Sequence, residues 1–201
     1  MNSVDQAVKI LKQGKVVVYP TDTAYGLAVD ATNAKAVNRL FALKGRDFRN
    51  PVHIIIPSGN WLTKIVSLST TALKLMNKFL PGPLTVVLPL KIKGSSWKKL
   101  SAGTKTIGIR LPNNKIALEL VEKLGKPITT TSANISGQSA CYSVLEVKKQ
   151  FEKSVKKPDI YLNGGKLKKI KPSTVVLLTG ERAKIIRLGP ISEKQIKNAI
   201  K

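Results

Sequence analysis

The sequence predicts a single α/β domain built on a twisted, mixed β-sheet flanked by helices. Three observations carry that reading. Short β-branched runs, such as Val16-Val17-Val18, alternate along the chain with segments of helical period. Of the 201 residues, 42% are hydrophobic and 23% charged, which suits a packed core and not a disordered chain. No internal repeat or composition break divides the chain, so one domain is expected over residues 1–201, with its core at about 4–190.

The elements follow in order. Residues 4–13 place Val4, Ala7, Val8 and Leu11 at helical spacing, and Gly14 is the stop signal. Residues 15–19 read as a buried strand closed by Pro20. Ala36, Val37, Leu40 and Phe41 share one face of a helix over 33–43, with Asn33 as its cap. Further strands are expected at 52–56, 84–88, 106–111, 128–131, 174–178 and 184–188. Helices are expected at 70–79, stopped by Pro81-Gly82-Pro83, at 114–124, punctuated by Gly125, at 143–151, and at 192–200 behind Ser192. The lysine- and glycine-rich stretches 91–105 and 153–171 read as loops and lid candidates.

Charge is the outlier. The chain has 35 Lys+Arg against 11 Asp+Glu, a net charge of +24. Such an excess favours polyanionic partners: RNA, DNA, nucleotides or an anionic membrane. A lysine-rich composition with no function attached explains the scattered Lys-Lys pairs equally well. One cysteine, Cys141, and one histidine, His53, exclude an intrachain disulfide and argue against a Cys/His zinc cage. No stretch of about 18 apolar residues occurs, so no membrane-spanning helix is expected. The first residues lack the continuous apolar run of a secretory signal. A reducing, cytoplasmic setting is the expectation.

Five polar corners close apolar runs, and α/β folds bind ligands at such corners. YPTDTAYGL (19–27) offers the hydroxyls of Thr21 and Thr23 and the Asp22 carboxylate, which also suits a local turn bond. LKGRDFRNP (43–51) gathers Lys44, Arg46, Arg49 and Asn50 in one short loop, a side-chain phosphate clamp in a chain with no GxxxxGK[ST] cradle. TIGIRLP (106–112) places Arg110 at the end of an apolar strand, where its charge needs an acidic side chain or a ligand carboxylate. TTTSANISGQ (129–138) crowds Thr130, Ser132, Asn134 and Gly137 at a strand exit. Ser173 in KPSTVV and Arg187 in IIRLGP form the fifth. Together they suggest one shared pocket. His53 reads as a strand histidine, in the core or on the surface. Nucleophilic-triad and paired-carboxylate chemistry are not supported, so the pocket is expected to hold anions and not to abstract protons.

The ordered set PTDTAYGL, KGR followed by NP, PGPLTVVL, IRLP, TSANISG, PSTVV and IIRLG resembles the YrdC-like (TsaC) L-threonylcarbamoyladenylate synthases, over roughly residues 5–190. The resemblance implies a YrdC/RibB-like mixed α/β fold around a deep basic cavity. It implies a nucleotidyltransferase that joins L-threonine, bicarbonate and ATP into threonylcarbamoyl-AMP and pyrophosphate. Downstream transfer-complex proteins then pass the threonylcarbamoyl group to an adenosine beside the anticodon of tRNA. By the same resemblance, Thr23, Arg110, Thr130 and Ser173 bind L-threonine, with Arg110 on its carboxylate. Lys44, Arg46, Asn50, Thr106, Ser132, Asn134, Ala140 and Arg187 bind the nucleotide, and Lys44 and Arg46 carry catalysis. Mg²⁺ rides on the ATP phosphates with few protein ligands.

The chain departs from the pattern at three places. His53 stands two positions before the histidine of many relatives, whose place Ile55 takes. Asp47 replaces a proline, and Pro172 replaces a glutamate. The chain ends soon after IIRLGP and reads as the short form. The alternative from a different class is a non-catalytic RNA-binding or accessory factor that uses the same basic cavity for tRNA or other RNA. Aromatic residues make up only 5% of the chain, which leaves little surface for stacking single strands.

Overall fold

Alternating apolar runs and capped helices assemble into one sheet with helices on both faces, seen in a computed structural model that describes residues 3–201. The strands are β1 (Val17–Pro20), β2 (Tyr25–Ala28), β3 (His53–Ile55), β4 (Leu84–Pro89), β5 (Thr106–Arg110), β6 (Ile128–Ser132), β7 (Ile160–Tyr161), β8 (Thr174–Thr179) and β9 (Arg182–Arg187). The helices are α1 (Val4–Lys12), α2 (Ala34–Lys44), α3 (Gly59–Ile65), α4 (Thr70–Phe79), α5 (Ser95–Leu100), α6 (Lys115–Leu124), α7 (Val144–Phe151) and α8 (Glu193–Ile200). The strand order is β7-β1-β2-β6-β3-β5-β4-β8-β9. β1–β7, β3–β5 and β4–β8 pair in parallel and the remaining neighbours antiparallel, so the sheet is mixed.

Local chemistry fixes the helix ends. Ser3 and Ser192 close capping boxes with Gln6 and Gln195, and Asn33, Ser69, Asn114 and Ser143 cap α2, α4, α6 and α7. Gly45 ends α2 in the left-handed region at φ 57°. That cap aims the Lys44–Arg46 segment at the sheet.

Four elements escape the sequence reading. β2 is wholly buried, yet Tyr-Gly-Leu-Ala has no β-branched residue to announce it. α3 is a seven-residue helix whose Ser58 cap makes no side-chain hydrogen bond. The stretch 91–105 contains α5, which turns Trp97 and Leu100 into the core, so this stretch is not a lid. The stretch 153–171 contains the two-residue β7.

Side-chain alternation gives the sheet two different faces. One packs Val18, Leu27, Ile54, Ile109 and Val86 against helices that include α2, α4 and α5. The other packs Val17, Tyr19, Ile55 and Ile128 against α1 and α6. Those two helices cover only part of that face. Residues 162–172 form a strap that connects β7 at one edge to β8 near the other, and its Ile170 and Pro172 line a cavity with His53, Thr130 and Arg110 of that face. Tyr25 pins this strap: its hydroxyl donates to the Gly165 carbonyl at 2.7 Å and accepts from the Gly164 amide at 2.9 Å. The Leu167 amide donates to the Tyr142 carbonyl at 2.8 Å.

Two strand glycines exist because a ring lies across them. A Cβ on Gly108 would stand 2.4 Å from the His53 ring, and one on Gly26 would stand 3.0 Å from the Tyr19 ring. Glycine inside a strand otherwise costs stability. Gly108→Ala is expected to destabilise the fold by about 1–3 kcal/mol in denaturant titration. The double variant Gly108→Ala/His53→Ala recovers most of that loss, because the clashing ring is gone.

Candidate functional site

The uncovered face carries the site. His53 pairs with Thr130, Gly26 with Ser132, and Thr85 with Arg110, so strand parity turns these side chains to one side. All of these but Thr85 line a cavity of about 240 Å³, together with Ile170 and Pro172 of the strap. Of the residues singled out in the sequence, Thr23, Arg46, Arg110, Thr130, Ser132, Ala140, Ser173 and Arg187 line it. Lys44, Asn50, Thr106 and Asn134 do not.

Arg110 is 9% exposed. One terminal nitrogen, Nη2, donates to Asp22 Oδ1 and to Thr23 Oγ1, the latter at 2.7 Å. Its charge therefore has an acidic partner inside the protein, the structural option of the two the sequence leaves open. Asp22 Oδ2 and Arg110 Nε are buried with no partner.

Arg46 and Arg187 are held differently. Arg46 Nε donates to the Asn50 carbonyl at 3.2 Å and Nη2 to the Pro51 carbonyl at 2.8 Å. Asn50 thus contributes its backbone to the site, and its side chain is exposed. Arg187 donates from Nε and Nη2 to the Ser173 carbonyl at 3.0 and 2.9 Å, and from Nη2 to Ser173 Oγ at 3.2 Å. Thr85 Oγ1 stands 2.9 Å from the same Ser173 hydroxyl and fixes it from below. Carbonyls orient both guanidiniums without neutralising them.

Lys44 is 1% exposed. Its ammonium donates to the Ser132 carbonyl, the Asn134 carbonyl at 2.7 Å and Asn134 Oδ1 at 3.1 Å. Asn134 Nδ2 donates to the Ile135 and Gln138 carbonyls at 3.0 and 2.6 Å. Lys44 and Asn134 therefore build the 132–138 corner from beneath and present Ser132 and Ala140 to the cavity. Burial first, then the charge of Arg46, pushes the Lys44 amine down to about 7. The three oxygen acceptors favour its protonated form against that pressure. Thr106 stays on the cavity side of β5 beyond Gly108, with its hydroxyl 2.9 Å from that of Thr104.

The structure adds residues that sequence reasoning missed. His53 lines the cavity, and its ring lies over Gly108. Tyr25, Tyr142, Ile170 and Pro172 also line it, as does Thr21, whose hydroxyl the sequence had offered. Tyr25 and Pro172 stand inside the motifs PTDTAYGL and KPSTVV without being assigned a role there, and Tyr142 and Ile170 lie outside every motif. Among the described residues, three arginines line the cavity and no carboxylate does. Among the described residues no group of three His, Cys, Asp or Glu side chains gathers to hold a metal. No helix among them is long and apolar enough to cross a membrane.

A cavity edged by three guanidiniums on one face of a mixed sheet defines an anion-binding α/β domain. The chain matches the family Sua5_yciO_yrdC, described as telomere recombination, over residues 9–189. It is 37% identical over 183 residues to a putative threonylcarbamoyl-AMP synthase of Methanocaldococcus jannaschii, covering 91% of this chain and 84% of that protein. It is 34% identical over 196 residues to the threonylcarbamoyl-AMP synthase of Pyrococcus abyssi, 96% of this chain but 56% of that protein. A crystal structure of P. abyssi Sua5 complexed with L-threonine superposes with a TM-score of 0.89 at 34% identity, covering 98% of this chain and 57% of that one. The chain belongs to the Sua5/YciO/YrdC family.

Burial first, then the charges of Arg187, Arg110 and Arg46, pushes the His53 imidazole down to about 4. The folded chain then binds fewer protons than the unfolded chain between about pH 4 and pH 6.5, so His53 contributes a loss of stability as pH falls through that window. His53 is the only histidine, so its ring gives one unambiguous NMR titration. The ring is expected to stay neutral down to below pH 5. A midpoint near 6.5 would place it in bulk solvent and away from the three arginines.

Proposed function

We propose that this chain synthesises L-threonylcarbamoyladenylate from L-threonine, bicarbonate and ATP, with release of pyrophosphate. The observation that carries the reading is the division of the cavity's cations. Arg110 is paired to Asp22 and beside Thr23, while Arg46 is braced by carbonyls and Arg187 by the carbonyl and hydroxyl of Ser173, all uncharged. The first suits the single charge of an amino-acid carboxylate, and the other two suit a polyphosphate. Relatives named threonylcarbamoyl-AMP synthase and the threonine-bound P. abyssi structure support the same reading.

In this mechanism Arg110 and Thr23 take the threonine carboxylate, and the hydroxyls of Thr130 and Ser173 complete the amino-acid subsite. The threonine amine forms a bond to the carbon of CO2 derived from bicarbonate and loses a proton, giving a carbamate. A carbamate oxygen attacks the α-phosphorus of ATP, and the bond to pyrophosphate breaks. Positioning and charge neutralisation by Arg46 and Arg187 drive that step, and no strong base is required. Lys44 and Asn134 act by holding the Ser132–Ala140 rim where the nucleotide lies, with Thr106 and the Asn50 backbone at its margins. A lining without carboxylates fits Mg²⁺ held by the ATP phosphates, where the ion would neutralise phosphate charge. Transfer-complex proteins and tRNA follow downstream, in a cytoplasmic setting. The RNA-binding alternative uses the +24 charge but gives no role to the buried Arg110 site.

The test is pyrophosphate release from ATP, Mg²⁺ and bicarbonate, with and without L-threonine. Threonine-dependent release that serine does not reproduce is expected. Release that ignores threonine, or none from a protein that binds both ligands, would contradict the proposal.

A further inference from the structure

The cavity must keep two anions apart, the threonine carboxylate and the ATP phosphates. Three guanidiniums line the space, and any of them binds either anion. Only Arg110 touches a carboxylate of the protein, that of Asp22, and both side chains are 11% exposed. Asp22 is not among the residues that line the cavity, although its neighbours Thr21 and Thr23 are.

The contact geometry argues against a pair kept for stability. An arginine–carboxylate pair optimised for strength is bidentate, with two parallel hydrogen bonds. Here one Nη2 serves both Asp22 and Thr23, while Asp22 Oδ2 and Arg110 Nε are buried and unpartnered. A buried pair of that kind is weak support for stability. Its electrostatic effect on the cavity is large, because it cancels much of one guanidinium's charge at low dielectric.

We infer that Asp22 is a positioning and specificity residue that sorts the two anions, by lowering the affinity of the Arg110 subsite for phosphate while leaving it competent for a carboxylate. A carboxylate with one charge still gains from the fork and from the Thr23 hydroxyl. A phosphate with two or more charges gains more at the unneutralised Arg46 and Arg187. Asp22 thereby keeps ATP and pyrophosphate out of the amino-acid subsite. The inference rests on Arg110 being the threonine anchor.

The test compares calorimetric binding of inorganic phosphate and of L-threonine to the unaltered chain, Asp22→Asn and Asp22→Glu. In the unaltered chain phosphate binding is expected to be indifferent to threonine. In Asp22→Asn phosphate is expected to bind about 10-fold tighter or more, and threonine displaces it. Asp22→Glu keeps the charge and is expected to behave as the unaltered chain. The gain disappears in Asp22→Asn/Arg110→Ala. Asp22→Ser removes the same charge and serves where Asp22→Asn does not fold. A merely structural Asp22 would weaken threonine binding and create no competition between the two anions. Unchanged phosphate affinity in the charge-removing variants, or an equal gain in Asp22→Glu, overturns the inference. Failure of threonine to bind the unaltered chain would instead strike the proposed function, and the phosphate comparison still reads Asp22.

Discussion

Like charges crowded on one face of a sheet are the constraint on which the rest of this structure depends. Arg46, Arg110 and Arg187 edge a cavity of about 240 Å³, and Lys44 lies buried beneath its rim. Their mutual repulsion must be offset by fixed partners, because the cavity lining supplies no carboxylate. The protein uses backbone carbonyls for Arg46, Lys44 and Arg187, and the Asp22 carboxylate for Arg110. These oxygens are aimed before any ligand arrives. The three arginines thus keep donors free for a ligand without reorganising their surroundings, which is how preorganised sites stabilise developing charge.

The sheet makes that arrangement possible through its two-residue period. Arg110, His53, Thr130 and Ser132 share a face only because β3, β5 and β6 pair in the observed register. A slip of one residue in any of these strands would send that strand's site residues to the opposite face. The ring of His53 over Gly108 and that of Tyr19 over Gly26 tie neighbouring strands on this same face. The strap at 162–172, held by Tyr25, lends Ile170 and Pro172 to the cavity wall.

Much of this was legible in the sequence. Helical periods located α1, α2, α4, α6, α7 and α8, with Asn33 and Ser192 as expected starts and Gly14, Pro81 and Gly125 as stops, and the structure adds the caps Ser3, Ser69, Asn114 and Ser143. Arg110 and Arg46 stood out as cations closing apolar runs, and both line the cavity. Other features depend on pairing between distant segments. The Asp22–Arg110 contact joins residues 88 positions apart, and no local signal distinguishes it from a turn bond at Asp22. His53 looked displaced by two positions, yet a shift of two on a strand keeps the face, and the ring lies on the cavity wall. Lys44 and Asn134 read as ligand-binding groups, but both are consumed in building the corner that carries Ser132. β2 was hidden because it lacks β-branched residues, whereas the strap falls almost wholly within the stretch 153–171 that reads as a loop and lid candidate, and Ile170 of it lines the cavity.

The division of labour among the arginines is tested most directly by calorimetry with each ligand alone. Arg110→Ala is expected to weaken L-threonine binding on the order of 30-fold or more while leaving ATP binding nearly unchanged, and Arg46→Ala to do the reverse. Equal losses of both ligands in both variants would contradict the account, because the cavity would then hold its anions as one undivided field of charge.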